Sequence, residues 1–167
     1  MRRKYYKSRV AEKENPQMKA TKLKKPKEPQ IKAITIRQPW AELILRGRKP
    51  FELRSWKTHY RGPLVIHAAA RVDAEDARHF GLNPEKLITG AFVGVAILSD
   101  VRPYTRQDAR LLKKRRAGHG WFAGNFSWVL KKPQRIPPVK AKGQLGLFKV
   151  PRAVQCSCEA LNAFRNV

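Results

Sequence analysis

The 167-residue chain is short of acid: 12 Asp and Glu stand against 37 Lys and Arg, a formal charge of +25. Residues 1–30 hold 11 of the cations and 3 of the acids, so 26 and 9 remain in residues 31–167. The body is basic in its own right. Such a field draws polyanions, and nucleic acid is the commonest polyanion in a cell. A basic proteome at the source is the plainer explanation; the charge asymmetry favours nucleic acid. Cysteine is scarce as well. Cys156 and Cys158 stand in a C-x-C spacing, too tight for an ordinary disulfide and without a second pair for zinc. A disulfide scaffold is excluded, and a reducing compartment is the expectation, cytoplasmic or, in a eukaryote, nuclear. No apolar run approaches the roughly 18 residues that cross a bilayer, and the charged N-terminal stretch lacks the apolar core of a secretory signal. A membrane partner is therefore not expected. Missing too are a Walker A run, a G-x-G-x-x-G turn and an internal repeat. Ser99 and Ser127 have no His/Asp set around them, which argues against a serine-hydrolase triad. No cofactor and no metal is implied.

What is present falls into three parts. Residues 1–30, with Pro16, Pro26 and Pro29 and no sustained hydrophobic period, read as a disordered basic arm. Residues 31–152 read as one domain, and residues 153–167 as a C-terminal helix packing on it through Val154, Cys158 and Leu161. Within the domain, IKAITI predicts a short strand. RQPWAELILRG predicts a helix capped by Gln38, opened by Pro39 and stopped by Gly47 in the left-handed conformation. RKPFELRSW predicts a strand with Phe51 and Leu53 on one side and Glu52, Arg54 and Trp56 on the other. LVIHAAA and GAFVGVAILSDV predict buried strands. Asp73 and Gly81 bracket a short helix. Thr105 with Asp108 three residues on predicts a capping box for a helix whose exposed face carries Arg106, Arg110, Lys113, Lys114, Arg115 and Arg116. GHGWFAGN reads as a loop, FSWVL as a strand, KKPQRIPPVKAKG as a proline-rich loop and QLGLFKVP as a last strand. Five or six strands do not alternate regularly with three or four helices. That favours an α+β fold built on a small, mostly antiparallel β-barrel decorated by short helices.

Chemistry concentrates after Gly47. A carboxylate at Glu52 between Lys49 and Arg54 would stay ionised and orient the arginine fork. In a cleft this group offers donors and an acceptor to a polar heterocycle or a phosphate. Trp40, Trp56 or Trp128 supplies a stacking wall. The competing reading is a structural ion pair that fixes the helix on the sheet, and the residues alone leave the two evenly matched. His67, in an apolar strand, reads as a satisfied core histidine. His119, beside Trp121, suits a surface cleft.

The run Gly47-Arg48-Lys49-Pro50-Phe51-Glu52-Leu53-Arg54 resembles the G-x-K-x-x-E-x-R signature of the ASCH domain. ITIRQPW with Ala41, RSW, RGPLVIHAA, GAFVGVAILSDV, FSWVL and KGQLGLFKVP are similar to further blocks of that family, in order, over residues 33–151. The resemblance implies a PUA-like β-barrel that interacts with nucleic acid, RNA more readily than DNA. It implies a cleft for a base or modified base lined by Lys49, Glu52 and Arg54, with Trp40, Trp56 and Arg61 nearby. Some relatives are enzymes that hydrolyse amides of acylated cytidines or cut RNA. For those, Lys49 and Glu52 would be the catalytic candidates. In the amidohydrolase group a threonine stands where this chain has Glu52, a departure that favours binding and leaves the enzyme as the alternative. A protein partner that meets the basic surface is a third option.

Overall fold

The computed structural model describes residues 31–118, 125–152 and 154. The basic arm over 1–30, the loop with His119 and Trp121, and the helix expected after residue 152, save Val154, lie outside the described residues.

Local signals set most element ends. Helix α1 (Trp40–Leu45) starts after Pro39, and the Gln38 side chain accepts from the Glu42 amide at 3.1 Å. Gly47, at φ +69°, ends it: its N–H bonds the Ile44 carbonyl at 2.8 Å, and the Arg48 N–H bonds Leu43 at 2.9 Å. Only a residue tolerant of positive φ closes a helix this way without strain. The chain then turns into β2 (Phe51–Arg54). Helix α2 (Ala74–His79) is capped by Asp73, and α3 (Arg106–Lys114) by the expected box of Thr105 and Asp108.

The remaining strands are β1 (Lys32–Gln38), β3 (Gly62–Val72), β4 (Ala91–Pro103), β5 (Phe126–Lys140) and β6 (Leu147–Lys149), with a 3-10 turn over Pro84–Lys86. They form one six-stranded sheet in the order β2-β5-β4-β3-β1-β6. β1 runs parallel to β3, and the other pairings are antiparallel.

The α+β mixture with short helices matches expectation; the closed PUA-like β-barrel does not. The sheet is open. Closure would need β2 and β6, its two edges, to pair with each other. They are four and three residues long and lie at opposite ends of the strand order. Alternating apolar strands look the same in a barrel and in an open sheet, so the pattern that suggested closure does not distinguish them.

A second correction concerns residues 131–143. The proline-rich stretch continues β5 as far as Lys140. Its prolines sit where the register with β4 slips. Pro133 falls between Lys131 and Gln134, which face Ile97 and Val95; Pro137 and Pro138 fall between Arg135 and Val139, which face Gly94 and Phe92. A residue without an N–H is tolerated at such bulges.

Three apolar clusters hold the elements. The first puts Ile44 and Leu45 of α1 on Ile34, Ile66, Val93, Leu98 and Trp128 of the sheet. The second, including Ile31, Val65, Phe92, Val95, Ile136 and Phe148, is a separate core that also takes Val154. The third joins the helices: Leu43, Ala77, Phe80, Leu112 and Ala117 meet there with Phe51 and Tyr104. At Gly94 the helix comes so close that a Cβ would lie 2.2 Å from Leu45 Cδ2 and 2.6 Å from the Gln134 carbonyl. Glu42, also buried, ties α1 to β5 through a two-pronged contact with Arg135 at 2.6 and 3.0 Å and to Arg46 at 2.6 Å. Burial raises its affinity for a proton, but the hydrogen bonds of Arg135 and Arg46 outweigh that and hold its carboxyl below the ordinary value.

Candidate functional site

Between the end of β1, β2, β3 and the segment before β6 lies a cavity of about 790 Å³. Its wall includes Trp40, Glu52 and Arg54, together with Thr35, Arg37 and His67. Small residues (Ala69, Ala70, Gly90) line part of it, and the strap of residues 141–146 borders it.

The strand period of β2 explains how two of the site residues arrive. Phe51 is buried in the third cluster with Leu53 packed against it, so Glu52 and Arg54 point the other way. Glu52 is 8% exposed and Lys49 5%. Lys49 Nζ donates to Glu52 Oε2 at 2.5 Å, while Arg54 Nε lies 3.4 Å from Oε1. Arg54 Nη2 donates to the Thr35 carbonyl at 2.6 Å. The guanidinium is thereby held by one hydrogen bond and one ion pair; its buried Nε has no hydrogen-bond partner, and the side chain lines the cavity.

Lys49 does not reach this cavity. It lines a smaller one of about 230 Å³ with Trp40, Glu52, Leu53, Leu112, Gly118 and Asn125. Its Nζ also stands 5.8 Å from the Trp40 ring centroid. Trp40 and Glu52 border both spaces and so divide them. Trp56 lines neither. It packs edge-on against Trp128, with centroids 4.6 Å apart, and its carbonyl accepts from Trp128 Nε1. Arg61 is exposed and spends its fork on the carbonyls of Thr58 and Tyr60 and on Asp100 at 3.4 Å. Of the six residues named from sequence, the fold therefore gathers Trp40, Glu52 and Arg54 on the large cavity, puts Lys49 behind them, and leaves Trp56 and Arg61 outside.

Three contributors went unrecognised in the sequence. Arg37, exposed on the cavity wall, has no carboxylate partner among the described residues. Thr35 Oγ1 donates to the Gln144 carbonyl at 3.0 Å and accepts from its N–H at 3.1 Å, so it clips the strap to β1. Buried His67 sits 2.9 Å from the Ala141 carbonyl through Nε2. A carbonyl only accepts, so Nε2 carries a proton. Nδ1 has no hydrogen-bond partner. His67 is thus buried as expected but only half satisfied. The strap comes this close because residue 143 is glycine; a Cβ there would lie 2.8 Å from Thr35 Oγ1 and 2.9 Å from His67 Nδ1.

Chemically, the large cavity offers an aromatic wall, an oriented arginine and a cationic surround from Arg37 and Lys142. The described residues contain no group of His, Cys, Asp and Glu placed to hold a metal ion. No described helix is long and apolar enough to cross a membrane. Ser127 is fully buried and donates to Asp108, with no histidine in the pair.

Compared with known families, residues 34–140 match the ASCH domain. Among curated proteins, activating signal cointegrator 1 of Homo sapiens is 50% identical over 38 residues, which are 23% of this chain. The chain spans only 6% of that relative's length. Among solved structures, ASCH from Zymomonas mobilis superposes with a TM-score of 0.54 at 15% identity, covering 79% of this chain and 95% of that one. A single-residue variant of the same protein gives a TM-score of 0.54, also at 15% identity, covering 78% and 99%. At that identity the likeness concerns the fold alone.

Proposed function

The chain belongs to the ASCH domain family, and from that membership and the cavity's chemistry we propose that it is a nucleic-acid-binding module. RNA is preferred over DNA, and the large cavity takes one unpaired base or modified base. The observation that carries the reading is the fixed guanidinium of Arg54. Glu52 and the Thr35 carbonyl hold it on the same wall as Trp40, at the mouth of a cavity whose surround is cationic. A base needs a face to stack on and fixed donors and acceptors for its edge. Trp40 supplies the face and Arg54 the fixed donors, and Arg37 and Lys142 favour the attached phosphate.

Titrating labelled single-stranded RNA, duplex RNA and single-stranded DNA into the full chain tests this. Arg54→Ala and Trp40→Ala should weaken the preferred single strand by about tenfold or more, the cost of a lost stacking or fork contact, and weaken non-specific binding little. Equal binding of every oligonucleotide by both variants and the parent would sink the cavity reading.

Catalysis through Lys49, with Glu52 as acid or base, is the rival. The ion pair opposes it: an ammonium donating to a carboxylate at 2.5 Å has no lone pair free for attack. Incubation with acylated cytidine or with labelled RNA should give no turnover. Turnover that Lys49→Ala abolishes would reverse the conclusion.

A further inference from the structure

The C-terminal ends of all three described α-helices are tied to one another by arginines. Arg48 follows the stop of α1. Its guanidinium donates to the carbonyls of Phe80 at the end of α2 (2.9 Å) and of Arg115 and Arg116 at the end of α3 (3.4 and 2.5 Å). Arg115 Nη1 donates back to the Gly47 carbonyl at 3.1 Å, and Arg116 Nη2 to the His79 carbonyl at 3.3 Å. Beneath them the third apolar cluster packs Leu43, Phe80, Leu112 and Ala117.

Two features distinguish this junction from ordinary helix capping. The first is charge. Arg46, Arg54, Arg61, Arg102 and Arg135 each meet a carboxylate. Among the described residues Arg48, Arg115 and Arg116 meet none; Lys113 and Lys114 in the last turn of α3 and Arg78 in that of α2 add further cations. Burial, followed by the like charges of Arg116 and Arg46, lowers the Arg48 guanidinium from its ordinary value. The second is conformation. Each of the three helices ends with the same pair of carbonyl bonds, made by a residue at positive φ and by its successor. Glycine fills that place at Gly47 (φ +69°) and Gly81 (φ +74°), but after α3 it is Arg116, at φ +49°. A side chain there is disfavoured where glycine is not. Arg116 thus holds the backbone conformation that glycine holds at the ends of the other two helices.

We propose that the Arg48–Arg115–Arg116 junction is a phosphate-binding site for the backbone of a bound nucleic acid. Arg115 and Arg116 are exposed, and each commits one nitrogen to a carbonyl, which fixes the fork and leaves most of its donors free. Arg48 holds the helix ends in place beneath them. Recognition of phosphate rests on this geometry alone; the polymer to which the phosphate belongs rests on the function proposed above.

The test is Arg116→Gly, beside Arg115→Ala, in the full chain. Binding of a labelled single-stranded RNA 12-mer is measured from 50 to 200 mM salt, binding of inorganic tripolyphosphate separately, and thermal midpoints alongside. Arg116→Gly should keep or raise the melting temperature, because the strained position is relieved. It should bind RNA several-fold more weakly and lower the slope of log K against log salt by about 0.7, one phosphate contact on a single strand. Arg115→Ala should do the same to the slope. If the parent binds RNA and both variants match its affinity and slope, the junction is overturned while the base-binding cavity stands. If the parent binds tripolyphosphate through these arginines but no nucleic acid, the phosphate site stands and the nucleic-acid reading fails. If it binds neither, both fail. A lower melting temperature for Arg116→Gly with unchanged RNA binding would mean that the arginine serves the fold alone, and would also overturn the proposal.

Discussion

Asp108 should make the fold measurably weaker in acid, through a single carboxylate. It sits in the first turn of α3 and accepts from both terminal nitrogens of Arg102 at 2.6 and 2.7 Å, from the Thr105 N–H at 3.0 Å and from Ser127 Oγ at 3.1 Å. Burial by itself raises its affinity for a proton. The hydrogen bonds of Arg102 and Thr105, with the Arg102 charge, reverse this and hold the carboxyl at about 2, below the ordinary 3.8. At about 1.36 kcal/mol per tenfold in proton affinity the difference corresponds to roughly 2.5 kcal/mol. Arg102 is 39% exposed, and solvent screens its share, so about 1.5–2 kcal/mol is the working figure. Because the folded value is depressed, the contribution is complete above the unfolded value near pH 4. It drains away as pH falls toward 2. Asp108→Asn lacks the charge and so lacks this slope. Urea unfolding of parent and variant at steps from pH 6 to pH 2 isolates this contribution, since other carboxylates such as Glu42 titrate in both. The gap between the two should be about 1.5–2 kcal/mol at pH 6 and fall to about 0.4 kcal/mol or less at pH 2, where the folded carboxyl is half protonated. A gap that stays constant across the range would refute the assignment.

Three further outcomes follow from the packing. Gly94→Ala should cost more than about 2 kcal/mol in urea unfolding, because its Cβ meets the Gln134 carbonyl at 2.6 Å as well as Leu45, and a sheet backbone yields less than a side chain; a loss under about 0.5 kcal/mol would mean the helix shifts freely. Gly143→Ala should leave global stability within about 1 kcal/mol, yet speed hydrogen exchange at Gln144 by roughly tenfold or more, as the clip to Thr35 opens. Unchanged exchange there would show that the strap does not depend on this glycine. Lys49→Met should destabilise by about 3 kcal/mol, because it leaves a Glu52 that is 8% exposed with only the longer contact to Arg54 at 3.4 Å. Adding Glu52→Gln to it should recover part of that loss, and a single variant as stable as the parent would mean the pair is not holding the fold.

The legible parts of the fold are those written within a few residues. The stop at Gly47, the cap at Asp73, the box of Thr105 and Asp108, and the opposite faces of Phe51 and Glu52 all involve partners one to four positions apart, where propensity and period act directly. The misreadings arise where distant partners decide. Openness of the sheet depends on how β2 and β6, nearly a hundred residues apart in sequence, end up in the strand order. The prolines of β5 mark a loop until the slip of β4 against it is known. Thr35 met Gln144 across 109 positions and His67 met Ala141 across 74, so no local pattern announced either. Trp56 was placed with Glu52 and Arg54 by counting in twos. The strand ends at Arg54, and beyond that point the count no longer governs direction.

The same limit explains the division of labour inside the signature run. Lys49 precedes the strand, emerging from the helix stop with its N–H on the Leu43 carbonyl, and it enters the smaller space behind Trp40. Arg54 ends the strand and enters the larger one. Glu52 stands between them with one oxygen toward each. A single carboxylate therefore neutralises a buried cation on one side and pairs with a cavity-lining cation on the other. Loss of Glu52 should damage both, through stability by way of Lys49 and through recognition by way of Arg54. Loss of Arg54 should damage recognition alone, since its exposed share tolerates water and Lys49 still satisfies the carboxylate. Binding measured on Glu52 variants is for that reason ambiguous unless the fraction folded is known. Arg54→Ala, at unchanged unfolding midpoint, is the substitution that separates the site from the scaffold it is built on.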